Sequence, residues 1–131
     1  MKVPLIVEVA ADPLTHERGL SHRTDLPPGL DGMLFIFDRP RVLAFWNQRT
    51  FVPLDIAFID AQRRVTVVLP MRTIVESGGV VESYAPPSPF TAAIEIRRGY
   101  LAACGISAGA VVDRELGWTP YPDRVVLTVM T

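Results

Sequence analysis

Apolar residues recur along this chain in short runs broken by polar or Gly/Pro-rich stretches, and each run fits a strand better than a long helix. The β-branched Leu5-Ile6-Val7-Glu8-Val9 predicts a first strand. Asp12-Pro13 then supplies an N-cap followed by proline at the first helical position. Leu14, Glu17, Arg18 and Leu20 suit a short helix whose end is blurred by Gly19. The segment Leu26-Pro27-Pro28-Gly29-Leu30-Asp31-Gly32 predicts a loop. Met33 to Phe37 is a continuous apolar strand, and Arg41 to Trp46 follows after the Asp38-Arg39-Pro40 turn, a spacing that predicts a hairpin. Asp55 to Ile59 and Arg64 to Leu69 flank Asp60 to Arg63 in the same manner. Beyond Gly78-Gly79 and Pro86-Pro87-Ser88-Pro89, Thr91 to Arg97 alternates, with Ala93 and Glu95 on one face and Ile94 and Ile96 on the other. Tyr100 to Cys104 predicts a short helix ended by Gly105, and Val111-Val112 and Val125 to Val129 complete the strands.

Roughly seven to nine short strands with one or two short helices predict a mainly β (α+β) domain, an antiparallel barrel or sandwich. Turns too short for crossover helices disfavour a parallel α/β sheet. The shared buried face is expected to hold Phe35, Phe37, Trp46, Ile56, Phe58 and Ile94.

Length and charge narrow the partners. The 131 residues match a single domain, residues 1–131, able to bury about two-thirds of its unfolded surface. With 13 Lys+Arg against 14 Asp+Glu the formal charge is -1, which provides no field for nucleic acid or anionic lipid, so neither is expected as a partner. The basic pairs Arg63-Arg64 and Arg97-Arg98 suit solvated strand ends. No apolar run is long enough for a membrane-spanning helix. The lone Cys104 sits in an apolar setting and fits a small core residue better than a nucleophile. Met1-Lys2-Val3-Pro4-Leu5 lacks the apolar core of a signal peptide. The chain therefore reads as cytoplasmic, or as an extracytoplasmic mature segment if Met1 replaces a removed leader.

The segment from Phe45 to Asp60 sets polar side chains between two core-forming runs, and it carries most of the candidate chemistry. Along a strand Trp46 and Thr50 share one face, while Asn47 and Arg49 share the other with Phe45. One reading is an aromatic platform beside amide and guanidinium donors, a mix suited to a planar or carboxylate ligand. The other, which local chemistry favours, has Trp46 filling core while Arg49 pairs with Asp55 or Asp60. Asp55 fits a cap for the preceding loop better than an acid or base. Asp60, Glu82 and Glu95 are the available second acids, and no spacing rule selects among them. His16 and His22 lie off the i,i+4 spacing of paired metal ligands, and Ser21-His22 has no orienting acid in view. Neither a metal nor another cofactor is expected.

A dispersed set of segments resembles a known family. It comprises Val7-Glu8-Val9-Ala10, Glu17-Arg18-Gly19-Leu20, Gly32 to Phe37, Phe45-Trp46, Thr50, Val52 to Asp60, Met71, Tyr84 and Ile94-Glu95-Ile96. Together these resemble the bacterial and archaeal domain of unknown function 192, over about Leu5 to Val112. The resemblance implies a compact, mainly β domain, commonly exported behind a signal peptide or lipid anchor, with no established reaction or cofactor. The chain departs from the family pattern where Asn47-Gln48-Arg49 replace the usual Met-Lys-Asn and where Ser21-His22 replace Met and an aromatic residue. A third departure is Ala110 after Gly109, where an acid is usual.

The function expected from these residues is a non-catalytic binding or accessory module. Its patch of Arg23, Trp46, Asn47, Arg49, Thr50 and Asp55, with Tyr84 as a wall, would hold a small polar or anionic ligand or a peptide. One alternative is a hydrolase or isomerase using Asp55 with Arg49 or His22, and the other is a structural interaction domain. The sequence fixes no oligomeric state.

Overall fold

The computed structural model of the chain describes residues 1–20, 23–114, 116 and 122–131. Its elements in order are β1 (Lys2–Ala10), α1 (Pro13–Arg18), β2 (Gly32–Arg41), β3 (Phe45–Trp46), β4 (Leu54–Ile59) and β5 (Val65–Met71). They continue as β6 (Ser83–Tyr84), β7 (Phe90–Arg97), α2 (Tyr100–Ala103), β8 (Val111–Val112) and β9 (Arg124–Met130). Seven strands form one sheet in the order β5-β4-β7-β2-β1-β9-β8, and β3 pairs with β6 in a second. The large sheet curls into a half-barrel whose edge strands touch where Arg64 bridges Val111. The Val65 amide donates there to the Ala110 carbonyl at 2.8 Å and the Val112 amide to Arg63 at 2.9 Å, so both exposed edges are partly paired.

The hairpin expected between Met33–Phe37 and Arg41–Trp46 is not formed. β2 lies between β1 and β7, and Phe45 and Trp46 pair instead with Tyr84 and Ser83. The cause is burial: β2 is buried from Gly32 to Phe37 on both faces, and such a strand must satisfy both of its edges from within the sheet. Its pairing with β1 is parallel, the exception in an otherwise antiparallel sheet, and the crossover is made through α1 and the loop after it. The hairpin of β4 with β5 forms as expected.

Alternation along the central strands separates two apolar layers. Leu34, Ile36, Ile94 and Ile96 fill the inside of the curl together with Leu5, Val7 and Leu127. Met33, Phe35, Phe37, Ile56, Phe58 and Ala93 face the other way, under Leu20 and Phe45. Of the residues expected in the core, Phe35, Phe37, Ile56, Phe58 and Ile94 are buried, but Trp46 is 59% exposed. Phe45 takes the inward position, edge-on to Phe35 at 5.0 Å and to Phe58 at 5.7 Å between ring centroids. Neighbours on a strand point to opposite faces, so seating Phe45 among these rings turns Trp46 outward.

Two local devices bring α1 and β7 close to β2. Asp12 caps α1 by accepting from the Thr15 amide at 2.9 Å, and the Thr15 hydroxyl completes a capping box. Gly32 is required where β2 meets β7, since a Cβ there would lie 2.2 Å from the Glu95 carbonyl oxygen.

Candidate functional site

Glu95 is the one acid on the buried stretch of β7. It pairs with Met33 of β2 and Ile56 of β4, so its side chain joins the face of Phe35 and Phe58. Only 6% of the residue is exposed. Burial pushes the carboxyl up to about 7, and the Leu20 amide, donating to Oε1 at a long 3.4 Å, opposes that only in part. Near neutrality the group is therefore poised between acid and carboxylate.

The end of α1 passes directly over it. Gly19 has φ +50, and a Cβ there would stand 3.1 Å from Phe35 Cζ and 3.3 Å from Glu95 Oε1. His16 pins the helix in this place: its Nε2 lies 2.9 Å from the Ala10 carbonyl and 2.7 Å from the Ile36 carbonyl. Both partners are acceptors, so Nε2 carries the hydrogen and Nδ1 is the remaining polar atom of the ring. The ring also lies on Phe37, with centroids 4.4 Å apart.

Between α1, β2 and the segment from Leu43 to Thr50 opens a cleft of about 1090 Å³, with Glu95 among the residues that line it. Phe35, Phe37 and Phe45 give it an aromatic floor, and Leu43 and Trp46 extend that apolar surface toward solvent. Arg18, Arg41 and Arg49 line it against Glu17 and Asp38, so with Glu95 neutral the cations exceed the anions by one. Arg41 is engaged with Asp38 at 2.7 Å, yet its buried Nε has no hydrogen-bond partner. The chemistry of such a lining suits an apolar body carrying a negative group.

The residues singled out from sequence divide sharply. Trp46, Arg49 and Thr50 line the cleft. Arg49 does so from a left-handed backbone, φ 57, in the turn closed by the Thr50 amide on the Asn47 carbonyl at 3.0 Å. Asn47 is fully buried instead. Its Nδ2 donates to the Arg72 carbonyl at 3.2 Å and to Ser77 Oγ at 3.1 Å, and its Oδ1 accepts from the Glu82 amide at 2.6 Å, which ties this turn to the loop after β5. Arg23 lies outside the lining, in a two-pronged ion pair with Glu8 at 3.3 and 2.7 Å. Tyr84 also lies outside it, its hydroxyl accepting from the Arg72 amide at 3.0 Å and donating to Glu82 at 2.9 Å. Asp55 accepts from the Gly99 amide at 2.9 Å, capping the turn into α2 and not the loop before it. Asp55 pairs with Ile96 while Ile56 pairs with Glu95, so the two acids occupy opposite faces of the sheet and form no dyad. Asp60 caps its own turn through the Gln62 and Arg64 amides, both at 2.9 Å. Ser21 and His22 lie outside the described residues. Among the described residues no group of three or more His, Cys, Asp or Glu is placed to hold a metal.

Sequence reasoning named Glu95 only as one optional second acid, and it did not bring His16, Arg18 and Arg41 together with Trp46, Arg49 and Thr50, beside which they line the cleft. The available signal was an acid on the same strand parity as Ala93, inside an otherwise apolar run. The segments that carried the family resemblance converge on this cleft, Glu17 to Leu20, Phe35, Phe37, Phe45, Trp46, Thr50 and Glu95 all lining it. The family model for DUF192, described as Uncharacterized ACR, COG1430, matches residues 2–114. The chain belongs to the DUF192 family. Two solved structures resemble this DUF192 chain. A candidate transcription regulator from Sinorhizobium meliloti 1021 is 29% identical, with a TM-score of 0.70 over 80% of this chain and 78% of the other. A protein of unknown function from Novosphingobium aromaticivorans DSM 12444 is 28% identical, with a TM-score of 0.64 over 82% and 81%. No curated protein matches the chain.

Proposed function

We propose that this DUF192 chain is a binding module whose cleft takes a small ligand combining a ring or other apolar body with an anionic group. The observation that carries the reading is the lining itself: phenyl rings below, Trp46 at the side, arginines around them and a buried acid at the base. Aromatic rings supply contact area at low entropic cost, and guanidinium groups fix the orientation of an anion. A hydrolase or isomerase using Asp55 with Arg49 or His22 loses support because Asp55 accepts from the Gly99 amide and lies outside the cleft that Arg49 lines. The description of the Sinorhizobium protein adds no DNA reading, given a formal charge of -1.

Trp46 provides the test. With Trp118→Phe it becomes the sole tryptophan of the chain, and its fluorescence reports on the cleft. Titration with aromatic carboxylates, sugar acids and organic phosphates should give a saturable change with at least one class, weakened about tenfold or more by Arg49→Ala. No response to any class, or one indifferent to Arg49→Ala, would place a site elsewhere.

A further inference from the structure

Within the binding reading just given, we infer that the anionic group of the ligand is a carboxylate seated against Glu95, the two carboxyl groups sharing one proton. The inference begins from what surrounds Glu95. From β4 it faces Ile56, and from β2 Phe35 comes near enough to share the Gly19 contact. From the end of α1 come Gly19 and the Leu20 amide. The charged and titratable groups lining the same cleft are His16, Glu17 and Arg18 from α1, Asp38 and Arg41 from β2, and Arg49 from the turn after β3. Among the described residues, burial and the Leu20 amide are what set the protonation of Glu95.

A neutral carboxyl in this position has an O–H to donate, and the phenyl rings of Phe35 and Phe58 on the same face are not acceptors for it. A ligand carboxylate meets that demand with one oxygen and leaves the other for a guanidinium on the rim. A phosphate dianion brings a second charge that the aromatic floor cannot solvate. Gly19 packs close over Oε1 of Glu95, and the buried acid still counts among the residues that line the cleft, beside Phe35. Once Glu95 ionises, two carboxylates would face each other at the buried position of Glu95, and one of them must take up a proton. Binding is therefore coupled to one proton, held already by Glu95 below about 7 and drawn from solvent above it.

Calorimetric titration of the full chain with benzoate, cyclohexanecarboxylate, benzamide and phenyl phosphate tests this. Each is measured at about pH 6 and about pH 8, in two buffers of different ionisation heat. The two carboxylates should bind about tenfold more weakly at the higher pH, with uptake approaching one proton there and little at the lower pH. In Glu95→Gln, whose amide keeps a donor without a titration, the pH dependence and the proton uptake should both disappear. Phenyl phosphate or benzamide binding as tightly as benzoate, benzoate affinity independent of pH, or pH dependence that persists in Glu95→Gln overturns the inference. Each of those outcomes leaves the cleft reading standing if binding still quenches Trp46 and still requires Arg49. If no acid binds, both fall. Should Glu95→Gln fail to fold, proton uptake by the wild-type chain decides alone.

Discussion

Gly19 and Glu95 fit together as a pair: the helix end crosses the buried acid so closely that a Cβ at position 19 would stand in a tight contact 3.3 Å from Glu95 Oε1. Gly19→Ala faces two costs, a left-handed φ of +50 and the close contacts with Phe35 Cζ and Glu95. Urea denaturation should show a loss of about 1 to 3 kcal/mol with an unchanged slope.

The same burial makes stability depend on pH in a predictable direction. The carboxyl of Glu95 is raised from 4.5 to about 7, so between about 4.5 and about 7 the folded chain holds a proton that the unfolded chain releases. The folded state then binds more protons than the unfolded one, and stability falls as pH rises through that window. The loss is about 3 kcal/mol at most, complete above pH 7. Melts of Glu95→Gln against wild type should diverge in that window, with the variant gaining relative stability at the higher pH.

Phe45 and Trp46 should respond oppositely to truncation. Phe45→Ala removes a ring packed edge-on against Phe35 and Phe58, and a loss of about 2 kcal/mol is expected. Trp46→Ala removes a side chain that is 59% exposed, and it should change stability by about 0.5 kcal/mol or less. Parallel thermal melts of the two variants separate these effects.

Asn47→Ala strips three hydrogen bonds at once, those to Arg72, Ser77 and Glu82. Buried partners left unsatisfied make a loss of about 3 kcal/mol the expected outcome. Amide exchange should quicken first in the loop from Arg72 to Glu82, which that side chain ties down.

The strand pattern was legible because apolar alternation has a fixed period: the faces of β7 and the hairpin of β4 with β5 follow directly from it. What failed was pairing. The short turn after Phe37 resembles a hairpin connection, but double-sided burial draws β2 into the sheet centre and leaves Trp46 on a separate ribbon. That displacement also reversed the assignments of Trp46 and Asn47, since a two-residue strand has too little alternation to reveal which neighbour faces inward. Arg49 and Thr50 lie in the cleft lining, as polar residues between core strands gather at a rim. Glu95 was harder to single out, because its significance depends on the helix end that crosses it, and no local spacing encodes that crossing.

The most direct measurement is an NMR titration of the Glu95 side-chain carboxyl carbon in the free chain and with benzoate present. The account predicts a midpoint near 7 in the free chain and a higher one with ligand bound. A midpoint in the ordinary range of about 4 to 4.5, unmoved by benzoate, would contradict it.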